Sequence, residues 1–348
     1  MRIAYYVHHQ GQGHRRRATA VARALSIPVT GIGTGVAPQG WPGDWVELAP
    51  DDDPVVEDPA LADVTAGDAL HWVPRHHPGL LHRQWQIVDW LARVRPALLV
   101  VDVSVEVTLL ARLCGIPVVV GAMPGDRTDA VHALAYDVAE ALLAPWPYAA
   151  HPESGWRADW WEKTWHVGGI SALAGRRAAP APTGREAATS ARQVLVLWGS
   201  GGDPVAEVDI HQARAVTPGW EWRVRGGGFP PAEDLAAELA AADVVVTHGG
   251  QGSVADVAWA RRPAVVLAMP RPYEEQAATV YALDRLGLAA TAHGWPREHR
   301  WPGLLDLALE RGGDRWAAWG ADGAVQAASR LEDLARRLGP TDVARRAS

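Results

Sequence analysis

Short apolar runs alternate with longer, helix-periodic segments along almost the whole chain. RIAYYVHH (2–9) and PVTGIGT (28–34) read as strands on either side of a helical RATAVARAL (17–25). WQIVDWLARV (helix), ALLVVD (strand), VTLLARLC (helix) and IPVVVGA (strand) follow, and then AEALLAPWP at 139–147. The second half repeats the theme with QVLVLWG, EWRVRG, AEDLAAELAAA, DVVVT, GSVADVAWARR, PAVVLAMP and EEQAATVYALDRLG. Apolar runs of strand length separated by helical segments imply βαβ units, and hence parallel sheets covered by helices.

One stretch breaks the rhythm. ALAGRRAAPAPTGREAATSAR, residues 172–192, is polar and rich in Pro and Ala, which suits a linker. It divides the chain into an amino-terminal domain, 1–171, and a carboxyl-terminal domain, 193–337, with LGPTDVARRAS at 338–348 as a tail. A chain of 348 residues is also longer than one core usually grows. The expected fold class is therefore α/β, with two Rossmann-like parallel-sheet domains facing an interdomain cleft. Ligands of such sheets gather at the carboxyl ends of strands, so the strand-to-helix loops are the places to look for chemistry.

Composition narrows the classes. Hydrophobic content of 48% and charged content of 21% suit a globular chain, and a net charge of −7 offers no basic face for nucleic acid. No apolar run reaches membrane-spanning length, and Met1 leads into a strand-like run rather than a signal sequence. The single cysteine, Cys114, can form neither an internal disulfide nor a thiolate metal cage. The expected location is the cytoplasm, with the inner membrane face as the site of action should the acceptor be lipid-linked. Eighteen Trp against one Phe is unusual; such rings can stack on sugars, but most are expected in the core.

Three loops carry unusual residues. In THGGQGSVADVAW (247–259) a strand ends at His248, and Gly249, Gly250 and Gly252 would let backbone approach a ligand before a helix opens near Ser253. Free N–H groups and the positive helix end make such a turn an anion site. A tight turn with Ser253 as N-cap and Asp256 as a first-turn acid is the alternative reading. In PRPYEEQAATVYALDRLG (270–287), Glu274, Glu275 and Gln276 open another helix. A second loop, WGSGGDP (198–204), follows the first strand after the linker. The third, HHQGQGHRRR (8–17), places Gly11 and Gly13 before His14, but Arg16 occupies the last glycine position of a dinucleotide fingerprint, which argues against a dehydrogenase.

Together, His-Gly-Gly-x-Gly-Ser, an acid three residues on, a Pro-bounded strand, Glu-Gln and a closing Leu-Gly resemble the donor-binding half of GT-B glycosyltransferases. The resemblance extends to the UDP-glycosyltransferases and to the N-acetylglucosaminyltransferase that completes peptidoglycan lipid II. It implies that His248 and the backbone of Gly249, Gly250, Gln251, Gly252 and Ser253 hold a pyrophosphate. Asp256 would bind ribose hydroxyls, Glu275 and Gln276 the donor sugar, and Ser200, Gly201 and Gly202 the phosphates or the reacting sugar. A carboxylate accepting from both ribose hydroxyls would favour a UDP-sugar over a dTDP-sugar. By the same resemblance His14 is the base that deprotonates the acceptor hydroxyl. Asp102, at the end of ALLVVD, is its natural partner, with Glu106 and Asp126 as further candidates. At least two of Arg15 to Arg17 are expected to be solvated.

Between Trp41 and Trp90 the chain looks irregular and rich in Pro, His and Trp, including HWVPRHHPGLLHRQW (71–85). It is the expected acceptor region, with Trp72, His76, His77 and Trp85, together with Gly13, as contacts. No ligand cluster of regular spacing points to a metal, and the acidic DDDP at 51–54 reads as a solvated turn. The expectation is an inverting, metal-independent transferase with no cofactor beyond a UDP-sugar co-substrate. The acceptor would bear a hydroxyl and could be a small molecule, a glycan or a lipid-linked sugar. A nucleotide-sugar epimerase and a non-catalytic nucleotide-sugar-binding subunit remain as alternatives.

Overall fold

A computed structural model describes residues 1–9, 11–150, 156–176, 191–199 and 204–339. In the first half, strands β1 (Ile3–Tyr6), β2 (Val29–Thr34) and β3 (Asp44–Leu48) enclose helix α1 (Gln12–Ala24). Helix α2 (Pro78–Val94), β4 (Leu98–Val101), α3 (Val105–Leu113), β5 (Val118–Gly121), α4 (Ala130–Val138), β6 (Ala141–Ala144), α5 (Ala158–Glu162) and β7 (Thr164–His166) follow. All seven strands pair in parallel in the order β3-β2-β1-β4-β5-β6-β7.

The second half contains β8 (Arg192–Trp198), α6 (Glu207–Ala215), β9 (Trp220–Gly226), α7 (Leu235–Ala241), β10 (Val244–His248), α8 (Gln251–Ala260) and β11 (Ala264–Ala268). It ends with α9 (Glu275–Arg285), β12 (Ala290–His293), α10 (Trp301–Arg311) and α11 (Gly323–Leu338). Its five parallel strands run β12-β11-β10-β8-β9. Central strands such as LLVV in β4 and VVVTH in β10 are buried throughout, as strands covered by helices on both faces require. Ten of the eighteen Trp are buried, among them Trp160, Trp301 and Trp316, so the tryptophans are mainly core, as expected.

The strand orders fix two special points. In the first sheet the order reverses between β1 and β4, and in the second between β8 and β10. Loops leaving such a pair diverge to opposite faces and open a crevice at the carboxyl end of the sheet. The loops holding His14, Asp102, Gly199 and His248 all leave from these pairs.

Three elements differ from the sequence expectation. Helix α1 begins at Gln12 rather than near Arg17, which places His14 in its first turn. The stretch between Trp41 and Trp90 is not irregular throughout, since it contains β3 and most of α2. The last helix, although it follows the second sheet in the chain, packs on the first. Ala324, Ala327, Ala328, Leu331, Leu334 and Ala335 recur at helical spacing along one face of α11. Of these, Ala324, Ala327, Leu331, Leu334 and Ala335 share a core with Ala18, Val21 and Ala22 of α1, and Glu332 accepts from the Ser26 hydroxyl at 2.7 Å. By packing, residues 323–338 therefore belong with the amino-terminal sheet. The chain crosses twice between the sheets at neighbouring points, where Gly323 N donates to Gly169 O at 3.1 Å.

Candidate active site

At the first switch point the Asp102 amide donates to Tyr6 O at 3.1 Å, which locks the start of the β4 loop to the end of β1. Gly11 caps α1 with φ 91°, a value that favours glycine, and His14 follows in the first helical turn. Its Nδ1 lies 2.6 Å from Asp102 Oδ2. That contact makes Nδ1 the protonated nitrogen and presents Nε2 as the basic edge. Asp102 is 1% exposed. Burial pushes its carboxyl up, but Arg17 and His14 outweigh burial and hold it well below the usual carboxylate range. The partner of His14 is thus Asp102. Glu106 instead accepts the His71 and Trp72 amides, and Asp126 accepts from Thr128 at the surface.

Arg17 is the one of the three arginines that turns inward. Arg16 is exposed as expected and Arg15 half-buried, but Arg17 lies under the pair. Its Nε and Nη2 donate to Asp102 Oδ1 at 3.0 and 2.5 Å, and Nη2 is 3.2 Å from His14 Nδ1. Nη1 donates to Gln251 Oε1, at the start of α8, so this one guanidinium joins the two switch points. The available signal was spacing: positions 14 and 17 are i, i+3 and share a helix face.

The second switch point is built differently. His248 is 7% exposed and meets Trp198 edge to face at 5.2 Å. Its Nε2 faces the Gly199 amide at 3.1 Å, and its Nδ1 faces the Gly250 amide at 3.0 Å. Burial, and after it Arg271, pushes the imidazole down to about 4, so the ring is neutral at ordinary pH. The ring therefore organises two loops from beneath. Gly250 has to be glycine, since a Cβ there would come within 2.5 Å of this ring. Gly249 packs on Gln276, whereas Gly252 and Gly13 have open space where a Cβ would go. Gly250 caps α8 without a side-chain bond, which leaves amides near Gln251, Gly252 and Ser253 for an anion.

Two expected donor contacts are corrected. Asp256 is 4% exposed and accepts from the Ser171 hydroxyl at 2.6 Å, so its carboxylate faces the interdomain crossing rather than a ribose. Burial pushes it up to about 6. Gln276 is 3% exposed; its Oε1 accepts from Met269 N at 3.1 Å and its Nε2 lies 3.4 Å from His248 Nδ1. It braces the loop. Glu275 does reach the crevice, 3.3 Å from Arg127 Nη2 of the first half. Ser200, Gly201 and Gly202 lie outside the described residues.

Beside His14 lies a cavity of about 340 Å³; His8, on its wall, has its ring 5.6 Å from that of His14. Of the expected acceptor residues only Trp72 lines it. His77 caps α2 by accepting from Leu80 N at 3.0 Å, so it is structural. His76 is exposed on a turn with φ 58°, and Trp85 is 60% exposed beside His82, away from the cavity. The expected solvated turn at 51–54 holds for Asp52 but not for Asp51, which is 16% exposed and 3.5 Å from the buried Arg83. Two groups bring potential metal ligands together: His9, Asp51 and Asp52, and His71, Asp129 and His132. In the second, Asp129 already holds His132 Nδ1 at 2.6 Å and Arg127 stands 3.3 Å from its Nε2.

Residues 177–289 match the glycosyltransferase family 28 C-terminal domain. No curated protein matches the chain. Solved structures similar over the whole length include the glycotransferase of kitacinnamycin, at 20% identity and TM-score 0.66, covering 96% of this chain and 98% of that one. CalG4, the calicheamicin glycosyltransferase, is 17% identical with TM-score 0.66, covering 98% of this chain and 100% of that one. MurG of Acinetobacter baumannii is 17% identical with TM-score 0.61, covering 97% of this chain and 100% of that one. The shared fold is GT-B. Among the described residues no helix is long and apolar enough to cross a membrane.

Proposed function

We propose that this chain, a glycosyltransferase of the GT-B type with a family 28 carboxyl-terminal domain, transfers a hexosyl or N-acetylhexosaminyl group to an acceptor hydroxyl with inversion and without a metal ion. His14 Nε2 takes the hydroxyl proton while the acceptor oxygen bonds to the anomeric carbon from the face opposite the nucleotide. The bond from that carbon to the diphosphate oxygen breaks, and the diphosphate leaves with the electron pair. Asp102, kept ionised by Arg17 and His14, steadies the imidazolium as it forms. The uncapped amides at the start of α8, with the dipole behind them, stabilise the charge that develops on the leaving group. Glu275 is the contact proposed for the donor sugar.

The observation that carries this reading is the His14–Asp102 pair at 2.6 Å, joined through Arg17 to the helix start on the other sheet. The cavity beside His14 favours transfer to an acceptor over rearrangement of a sugar within the nucleotide. The donor is a nucleoside diphosphate-sugar. The sequence preference for a UDP-sugar rested on Asp256, and a carboxylate bonded to Ser171 cannot tell ribose from deoxyribose. One structural relative, a spinosyn rhamnosyltransferase, was solved with thymidine diphosphate. UDP and dTDP are therefore expected to bind within a few-fold of each other in titration calorimetry. Transfer is tested with UDP- and dTDP-sugars and a panel of hydroxyl acceptors in the presence of EDTA. The product should carry the anomeric configuration opposite to the donor. Retained configuration, or activity abolished by the chelator, contradicts the mechanism.

A further inference from the structure

Most polar groups around the cavity beside His14 are already matched. Glu106 Oε1 accepts from the amides of His71 and Trp72 at 2.7 and 3.2 Å, and its Oε2 accepts from the Ser104 hydroxyl at 2.9 Å. Arg83, 1% exposed, donates to the Tyr6 hydroxyl at 2.7 Å, the Thr34 hydroxyl at 2.6 Å and Ala49 O at 2.9 Å. Trp72 Nε1 donates to Asp51 O at 2.8 Å.

The atoms left over share a character. Asp51 Oδ1, Gln84 Oε1 and both ring nitrogens of His9 are buried and find no hydrogen-bond partner among the described residues. His9 Nε2 stands 3.8 Å from Asp51 Oδ1 and 3.7 Å from Asp52 Oδ2, too far for a direct bond. Two of these atoms are acceptors only, and a neutral imidazole adds a third. Buried polar atoms without partners are rare in folded proteins, because each has lost its hydrogen bonds to water without replacement. The occupant that belongs here brings hydrogen-bond donors. Charge points the same way: Asp51, Asp52 and Glu106 face one buried Arg83. His8 adds no positive charge at neutral pH, since burial and the neighbouring His14 push it down to about 4.

We infer that the acceptor carries a protonated amine, seated among Asp51, Asp52 and His9, with its hydroxyl directed to His14. An ammonium offers three donors and a full charge, which a neutral hydroxyl does not. Trp72 walls the same cavity and suits an aromatic or sugar ring. A divalent ion would also satisfy Asp51 and one nitrogen of His9. An imidazole that binds metal, however, normally donates its other N–H to an acceptor, and His9 has none in reach among the described residues. The space is also that of a small molecule rather than an ion.

The inference rests on the acceptor half of the proposed function, and the test separates the two. Tyramine and tyrosol share a phenol ring and differ in the amine, so both are titrated into the protein by ligand-observed NMR at pH 7. Tyramine is expected to bind at least tenfold more tightly. Asp52→Asn, at a half-exposed position that leaves Arg83 untouched, should reduce that preference severalfold, and Asp51→Asn should nearly erase it; neither should change tyrosol affinity. Equal binding of the two probes, or an unchanged preference in both variants, overturns the inference. So does tight Zn²⁺ binding that His9→Ala abolishes and tyramine does not displace. Transfer to tyrosol without any amine preference would remove the amine site and leave the transferase reading standing. Amine-selective binding with no transfer to any hydroxyl acceptor would uphold the site and count against the transferase reading.

Discussion

Each switch point has a histidine near its strand-to-helix turn, His14 in the first turn of α1 and His248 at the end of β10, and the two make opposite contacts. His14 stands in the first turn of α1 with its polar edge toward the crevice and its other nitrogen on a buried, ionised aspartate. His248 lies beneath its loops, neutral, with both nitrogens turned to the backbone amides of Gly199 and Gly250. On the proposed reading the first loop offers its side chain as the reagent, while the second offers the backbone at the start of α8, with its histidine as support. A histidine at a strand-to-helix junction therefore does not declare its role; the hydrogen bonds around it do.

The sharpest way to break this contrast is to remove each ring. His14→Ala should lower the transfer rate by about 10²–10⁴-fold, the usual worth of general base catalysis, with nucleotide affinity and thermal stability unchanged. Steady-state kinetics beside calorimetry would check this; a rate within tenfold of the native protein removes His14 as the base. His248→Ala should act the other way. Losing a buried ring with its packing on Trp198 and its amide contacts should cost about 2–4 kcal/mol in denaturant unfolding. Nucleotide affinity should fall with it, and the pH profile of the remaining activity should keep its shape.

Asp256 sharpens the comparison through pH. Burial raises its carboxyl from an ordinary 3.8 to about 6, so folding favours the protonated form. Its contribution to stability is full below about pH 4 and is lost as pH rises through about 6. Asp256→Asn keeps an acceptor for Ser171 and removes the charge. The variant should exceed the native protein by about 3 kcal/mol above pH 7, converge with it near pH 4, and bind nucleotide as before. A tenfold loss of nucleotide affinity would restore the ribose role. The smallest effect on folding is expected for Gly252→Ala, whose Cβ meets nothing within 4 Å. Its melting temperature should match the native value while diphosphate affinity falls severalfold, because the methyl group would occupy space left for the ligand. Gly250→Ala, against the His248 ring, should be destabilised instead.

Periodicity read the fold well because parallel sheets bury whole apolar runs, and VVVTH or LLVV cannot be mistaken for solvated segments. The strand-end positions of Asp102 and His248, and the place of His14 at a strand-to-helix junction, were legible for the same reason. What the sequence hid was direction. The order His-Gly-Gly-x-Gly-Ser-x-x-Asp places Asp256 near a ligand in projection, but its carboxylate is met by Ser171, far off in the sequence. Nothing local showed which of Arg15 to Arg17 turns inward, because the partner that holds Arg17 stands at position 102. The cavity does draw on the stretch between Trp41 and Trp90, which supplies Asp51, His71, Trp72 and Arg83 among others, but His77 caps α2 and Trp85 faces outward. Its unmatched atoms come from Asp51 and Gln84 of that stretch and from His9, after β1. Nothing in the local pattern joins His9 to the other two.

The central claim is that backbone amides at the start of α8 grip a diphosphate across the crevice from a histidine base. A crystal structure with UDP or dTDP bound tests it most directly. Diphosphate oxygens within hydrogen-bond distance of the amides of residues 251–253, with the His14 ring facing the open side of the β-phosphate, is the predicted result. A nucleotide bound away from α8, or a diphosphate held by the His248 imidazole after that ring leaves its two amides, would contradict it.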